Sequence, residues 1–373
     1  MKIGITCYPT YGGSGTVATE LGRSLANRGH KVHFITTALP YRLSEFVENV
    51  YFHEVPVFNY PLFDYVPYSL SLASKMAQVA LREDLDLLHV HYAIPHAASA
   101  YLAKQIVAKQ KFLPVVTTLH GTDITLVGAD PSYFEITKFS IEQSDVVTAV
   151  SEYLRAQTVY RFGVDREIAV IPNFVDTERF RPHQEKPLGC LGGSGEKILM
   201  HISNFRPVKR IQDIIAIFEQ VSAVVKSRLV LIGNGPEMEL IRSLVESKDL
   251  ASRVTFLGRQ DDVSRLLPCA DLYLLTSTTE SFGLTALEAM SCGVPVVGSA
   301  GSGMAEFLGD GEAGYLYPVG DVESMVKGCL QILTNRELAQ KLGAAGRNRA
   351  VEEYNENSIV DRYEALYRTV PRG

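Results

Sequence analysis

A chain of 373 residues with 46% hydrophobic and 21% charged residues exceeds one ordinary domain and has too much apolar material for a disordered chain. Its net charge of −6 weighs against broad nucleic-acid binding and against a strongly anionic membrane partner. Apolar runs such as residues 229–232 have strand length, well short of the ~18 residues of a membrane span. The opening M-K-I-G-I-T-C-Y-P reads as a strand broken by a turn, without a secretory apolar region or cleavage site. Cysteines at 7, 190, 269, 292 and 329 are odd in number and dispersed, which argues against a disulfide framework and fits a reducing compartment. A cytoplasmic protein is expected, with no stable membrane association and no nucleic-acid partner; homo-oligomerisation is left open.

In chain order, residues 2–6 form the first expected strand, followed by Y-G-G-S-G and an amphipathic helix that Gly29 stops. Further strands are expected at 31–36, 86–92, 114–120 and 145–150, each followed by a turn or helix. Residues 41–72, rich in Tyr, Phe and Pro, read as an irregular excursion. The pattern restarts after a surface linker at 181–195, with strands at 197–203, 228–233, 253–258, 271–277 and 294–299. Apolar strands separated by helices indicate parallel sheets covered on both faces, hence an α/β chain with two Rossmann-like domains in tandem. We place the first at 1–176 and the second at 177–354, with a final helix at about 355–373 expected to pack back on the first.

Several strand ends carry chemistry. Gly12, Gly13 and Gly15 sit between a strand and a helix, where glycine lets a ligand approach backbone and the helix N-terminus favours an anion. The spacing is not G-x-G-x-x-G, and no acid closes the next strand, so a nicotinamide site is poorly matched; a plain tight turn also accounts for these residues. His89 and His91 share a strand face without a completing carboxylate or thiol, which favours packing or substrate lining over a metal. His120, in L-H-G-T-D, ends a strand at the edge where open α/β sheets bind ligands. In S-N-F-R-P-V-K-R, Arg206, Lys209 and Arg210 form either a solvated basic turn or a pyrophosphate clamp. G-N-G-P (233–236) ends another strand at the same edge. Finally, Glu280 and Glu288 bracket a short helix expected to start near 282 or 283 with Ser281 as its cap, placing Glu288 about two turns in. Two solvated helix charges, or two grips on a sugar nucleotide with a phosphate at the helix start between them, fit equally.

Taken in this order, G-G-S-G, H-G-T-D, F-R-P-V-K-R, G-N-G-P and E-S-F-G-L-T-A-L-E resemble the retaining GT-B glycosyltransferases of family four over almost the whole chain. The resemblance implies two domains facing each other across a cleft. It implies that Glu280 binds donor-sugar hydroxyls, that backbone N–H groups at Phe282, Gly283 and Leu284 meet the diphosphate, and that Glu288 holds the ribose. Arg206 and Lys209 are implied to neutralise the leaving group, and His120 to contact the sugar near its 6-hydroxyl. Gly13, Ser14, Gly15, Asn204, Gly233 and Asn234 complete the implied donor set. One departure stands out: two residues separate Arg206 from Lys209 where the family commonly has four, and Asn204 occupies the usual Arg position.

T-C-Y-P-T-Y-G-G-S-G, L-H-V-H-Y-A-I-P-H-A and T-T-L-H-G-T-D-I-T-L-V-G narrow the likeness. They imply UDP-N-acetylglucosamine (UDP-GlcNAc) as donor and the hydroxyl of L-malate as acceptor, in the first step of bacillithiol biosynthesis, with no cofactor and no metal. Ser14, Tyr92, Thr118, Ser151 and Arg155 are the expected acceptor-side residues, Arg155 as a carboxylate clamp. Two other readings remain: a lipid or polysaccharide acceptor, for which residues 71–84 would have to serve as a basic amphipathic helix, and an epimerase acting on UDP-GlcNAc alone.

Overall fold

The computed structural model describes all residues except 11, 44, 59–65, 184–190, 194, 302 and 372–373. It divides into two compact units, Met1–Asn173 with Asn357–Gly373, and Phe174–Glu356.

The first unit is built on a seven-stranded sheet of β1 (Lys2–Thr6), β2 (Lys31–Thr36), β3 (Val50–Glu54), β4 (Leu87–His91), β5 (Val115–Leu119), β6 (Val146–Ala149) and β7 (Ile168–Val170). Every pairing is parallel, in the order β3-β2-β1-β4-β5-β6-β7. Both faces are covered, so β4 and β5 are buried at every residue, as their near-continuous apolar runs require. β3 was not anticipated: it lies inside the stretch read as irregular. It is an edge strand with Tyr51 and Phe52 exposed, and it lacks the buried alternation that marks a strand in sequence. Part of that stretch, 59–65, lies outside the described residues.

The helix Tyr68–Glu83 buries Leu72, Ala73, Met76, Ala77, Val79 and Ala80. These side chains share a core with Ile35, Leu88 and Val90 of the sheet, so the apolar face that a lipid-acceptor reading would need is spent inside the unit. The C-terminal helix Glu356–Thr369 belongs to this unit too. Its Tyr367 hydroxyl meets His89 Nδ1 at 2.7 Å, and Glu364 takes Arg28 at 3.0 Å and His30 at 2.7 Å.

The second unit holds a six-stranded parallel sheet of β8 (Lys197–Ser203), β9 (Ser227–Gly233), β10 (Val254–Gly258), β11 (Leu272–Leu275), β12 (Val296–Ser299) and β13 (Gly314–Tyr317), in the order β10-β9-β8-β11-β12-β13. Leu199, Leu229, Leu231, Leu272 and Leu274 form its core with Ile214, Ile215 and Phe218 of the helix Ile211–Val224. β13 also escaped the sequence reading, since four residues opened by glycine carry little strand signal. Cys7, Cys292 and Cys329 are free and buried, but Cys269 is disulfide-bonded, so the dispersed cysteines are not all unpaired. Among the described residues, no helix is long and apolar enough to cross a membrane.

The helix Arg336–Glu353 approaches the turn at Gly293 so closely that a Cβ on Gly343 would lie 2.2 Å from the Gly293 carbonyl oxygen. Backbone cannot yield as a flexible side chain does. Gly343→Ala is therefore expected to lower unfolding stability by about 1–3 kcal/mol, read as a fall in the urea midpoint at unchanged slope; an unchanged midpoint would contradict this packing.

Candidate active site

In the second unit the strand order reverses between β8 and β11, and the loops leaving the carboxyl ends of those strands diverge there. Lys209 follows β8 and Glu280 follows β11, and their side chains meet at 2.5 Å with only 19% and 14% of their surfaces exposed. Ser277 donates its hydroxyl to the same Glu280 oxygen at 2.6 Å. Hydrogen bonds to main-chain carbonyls join the two loops, Thr278 N–H to that of Val208 at 2.8 Å and the Thr276 hydroxyl to those of Lys209 and Arg210 at 3.1 Å each. A half-buried ammonium and carboxylate, already desolvated and held by stitched loops, form a polar grip set in place before any ligand arrives.

The three cations in this loop separate by role. Arg210 is bidentate on Asp213, at 2.7 and 3.1 Å, and closes the start of the helix Ile211–Val224. Arg206 is exposed, and Lys209 alone of the three reaches Glu280. Beneath them His201 donates Nδ1–H to the Leu274 carbonyl at 2.9 Å, so its Nε2 accepts from Ser203 at 2.8 Å. The Ser203 oxygen in turn accepts the Phe205 N–H at 3.3 Å. Burial holds His201 down to about 4, and it is a neutral brace.

G-N-G-P turns against this loop at backbone contact. A Cβ on Gly233, where φ is +125°, would lie 1.8 Å from the Ser203 carbonyl oxygen, and one on Gly235 would lie 1.9 Å from that of Asn204. Asn204 Oδ1 is buried with no partner among the described residues, an acceptor left open at the same strand end. Asn234 is exposed and accepts its neighbour's N–H, from Gly235 at 2.8 Å.

The short helix runs Leu284–Ser291, one residue later than expected, with Gly283 (φ +98°) as its cap residue and no side-chain cap. Ser281 is therefore not the cap, and Glu288 lies one turn in rather than two. It is buried, at 4% exposure. Solvated helix charge does not describe either glutamate. The N–H groups of Ala286 and Leu287 fold back onto the Gly283 carbonyl at 3.0 and 3.2 Å, which leaves those just ahead of them without an acceptor inside the helix. Phe282 stacks on Phe307 at 4.9 Å, so it contributes its backbone to this edge while its ring anchors the turn.

The first unit has its own reversal, between β1 and β4. Tyr92, just past β4, donates its hydroxyl to Ser14, just past β1, at 2.8 Å. Gly15 is required by its own loop, since a Cβ there would lie 2.7 Å from the Tyr8 carbonyl oxygen, whereas Gly13 has open space around it. His120, at the end of β5, is half-buried and meets His91 Nδ1 through Nε2 at 2.8 Å. Two expected acceptor residues lie inside the fold. Thr118 is fully buried between His89 and Thr148, at 2.7 Å from each, and Ser151 is buried as the cap of the helix Glu152–Phe162, accepting from Leu154 N–H at 3.1 Å. Neither presents a hydroxyl to a free surface. Arg155 does stand exposed, paired to Glu152 at 2.6 Å.

Sequence reasoning passed over Asp123, His201 and Ser277 as functional positions. Asp123 is fully buried and accepts N–H bonds from Ala93 and Gly121 at 2.9 Å and from His120 at 3.3 Å, which ties the loops after β4 and β5 together. Desolvation raises its carboxyl to about 6 against the pull of those bonds. An acid two residues past a strand-end glycine, in H-G-T-D, was the available signal. Among the described residues, no group of three or more potential ligands is placed to hold a metal.

Two family models match the chain: one described as glycosyl transferases group 1 over residues 192–349, the other as glycosyltransferase family 4 over residues 11–179. The N-acetyl-alpha-D-glucosaminyl L-malate synthase of Bacillus anthracis is 49% identical over 376 residues, covering 100% of this chain and 98% of that protein. Among solved structures, a sucrose-phosphate synthase from Thermosynechococcus elongatus superposes with a TM-score of 0.83 at 22% identity over 98% of each chain. HepE from Anabaena, solved in complex with UDP and glucose, does so at 0.84 and 20% identity, over 99% of this chain and 100% of its own. At such identities the structures establish the fold, which is GT-B.

Four histidines around the carboxyl ends of β4 and β5 carry a consequence for stability. Desolvation lowers His89 and His120 to about 3, His96 to about 4 and His91 well below 6.5, so all four are neutral in the folded chain. Each contributes stability that is full above pH 6.5 and is lost as pH falls toward its folded value, by up to about 1.4 kcal/mol per pH unit. Asp123 opposes them, because its raised carboxyl weakens the fold as pH rises from about 4 through about 6. Four groups outweigh one, and unfolding free energy is expected to fall as pH drops from 7 to 5. A flat profile in urea titrations at the two pH values would contradict this reading.

Proposed function

The chain belongs to glycosyltransferase family 4, and from that premise we propose that it moves N-acetylglucosamine from UDP-GlcNAc to the hydroxyl of L-malate with retention at the anomeric carbon. The observation that carries this reading is the Lys209–Glu280 pair at the strand-order reversal of the second unit, in a chain alike end to end with a synthase of that name.

The chemistry follows from what each group can do. The bond between the anomeric carbon and the diphosphate oxygen breaks, the bond to the malate oxygen forms, and the hydroxyl proton passes to the departing phosphate oxygen. No step asks a carboxylate to act as nucleophile. Glu280 accepts hydrogen bonds from the donor-sugar hydroxyls. Lys209 has three donors and gives one to Glu280, so a diphosphate oxygen takes another without breaking the pair. Arg206, exposed beside it, supplies a second cation, and backbone N–H groups at Phe282–Leu284 a third source of positive potential. Such fixed donors aimed at developing charge supply much of the acceleration and take the part a divalent ion plays elsewhere. Glu288 holds the ribose. On the acceptor side Ser14 and Tyr92 orient the malate, and Arg155 exchanges Glu152 for a malate carboxylate.

Purified protein incubated with UDP-GlcNAc is expected to release UDP only when L-malate is present, and equally well after dialysis against EDTA. Sugar isomerisation without an acceptor, or transfer to a lipid in place of malate, would overturn the assignment. Within it, two substitutions should part cleanly. Lys209→Ala is expected to lower kcat about 10²–10³-fold, as loss of a leaving-group stabiliser does. Arg155→Ala should raise the malate KM about tenfold, the equivalent of one charge-assisted hydrogen bond, with UDP-GlcNAc binding spared. Equal loss of both substrates in Arg155→Ala would contradict the clamp.

A further inference from the structure

His91 lies on β4 behind His120, wholly buried, with its ring stacked on that of His89 at 4.6 Å and edge to edge with that of His120 at 5.1 Å between centroids. Its Nδ1 meets His120 Nε2 at 2.8 Å, and its Nε2 is buried with no partner among the described residues. His96 holds the same stretch of backbone by donating Nδ1–H to the His91 carbonyl at 2.5 Å. Burial keeps both rings of the pair neutral, so one proton lies between them and each ring carries one N–H.

Two tautomeric arrangements satisfy the 2.8 Å contact. If His120 donated through Nε2, His91 would carry its own proton on Nε2, where it would be a buried N–H without an acceptor. If His91 donates through Nδ1, the nitrogen left bare is an unprotonated lone pair. An orphaned buried donor is the rarer and costlier defect. We infer that His91 is a positioning residue that donates Nδ1–H to His120 Nε2 and thereby fixes His120 as the Nδ1–H tautomer, presenting a hydrogen-bond donor rather than an acceptor to the substrate.

The consequence is one of specificity. A neutral histidine free to choose its tautomer either donates to or accepts from a sugar hydroxyl, but one locked by His91 recognises only an oxygen lone pair in the place it faces. The ligand group at His120 must accept there, and an amine cation in its place would be rejected. Tyr92 lies with its ring 5.3 Å from that of His120, and Asp123 fixes the backbone beneath the imidazole by accepting the His120 N–H. The inference rests on the reading of His120 as a donor-sugar contact for its functional meaning, but the tautomer itself can be observed without it.

Long-range ¹H–¹⁵N correlation spectra of histidine-labelled full-length protein, assigned with His91→Asn and His120→Ala, test the proton positions directly. His120 is expected to show a protonated Nδ1 and an unprotonated Nε2, and His91 likewise; a protonated Nε2 on His120 overturns the assignment. Kinetics supply the second arm. His91→Phe should raise the UDP-GlcNAc KM about tenfold, the loss of one positioned hydrogen bond. His91→Asn, which keeps an N–H near the Nδ1 position, should recover most of it. In the His120→Ala background His91→Phe should cost nothing further, whereas the same cost in both backgrounds would mean that His91 acts by packing alone and sink the proposal. Full activity of His120→Ala would remove His120 from the site while leaving the spectroscopic result to stand by itself.

Discussion

Both halves of this molecule depend on one constraint of parallel sheets. A strand that starts in the middle of the order and is flanked by loops running opposite ways leaves an opening at its carboxyl end that no crossover helix fills. The opening lies between β1 and β4 in one unit and between β8 and β11 in the other. Each is bridged by a polar pair from the two diverging loops, neutral Ser14–Tyr92 in the first and charged Lys209–Glu280 in the second. The same topology is thus dressed differently in the two units, with neutral hydroxyls bridging one opening and opposite charges the other.

Holding polar groups at such an edge requires a polar interior beneath it. In the first unit that interior is a run of neutral imidazoles and hydroxyls, from Tyr367 through His89 and Thr118 to Thr148, beside the His91–His120 pair. In the second it is His201 and Ser203 under the basic loop. Burying these groups is tolerable because nearly every polar atom finds a partner, and it keeps each ring uncharged and in one orientation. Rigidity at these strand ends comes from this second layer. The C-terminal helix takes part in it through Tyr367, and so belongs to the chemistry of the first unit as well as to its packing.

Much of the fold was legible because parallel strands buried on both faces read as apolar runs, and helices between them keep a 3.6-residue period. β3 and β13 were not, one being an exposed edge and the other four residues opened by glycine. The sequence singled out His120, Lys209, Glu280 and Glu288 by residue type and position, and the structure pairs Lys209 with Glu280, pairs His120 with His91 and buries Glu288. The sequence misled where an exposed role was inferred from position alone. Thr118 and Ser151 sit at strand ends yet turn their hydroxyls inward, to His89 and Thr148 in one case and to a helix N-terminus in the other.

By itself, the sequence determined the α/β class, the tandem of Rossmann-like units and the glycosyltransferase family, because these rest on periodicity and on local motifs whose residues are neighbours in the chain. Tertiary structure decided which of three adjacent cations is available, since Arg210 is consumed by Asp213 and Lys209 is delivered to a glutamate 71 positions away. It also decided which nitrogen of His120 carries the proton, through a histidine 29 positions earlier on the neighbouring strand. Pairings of that kind depend on strand order and register, which bring together side chains that no local pattern connects.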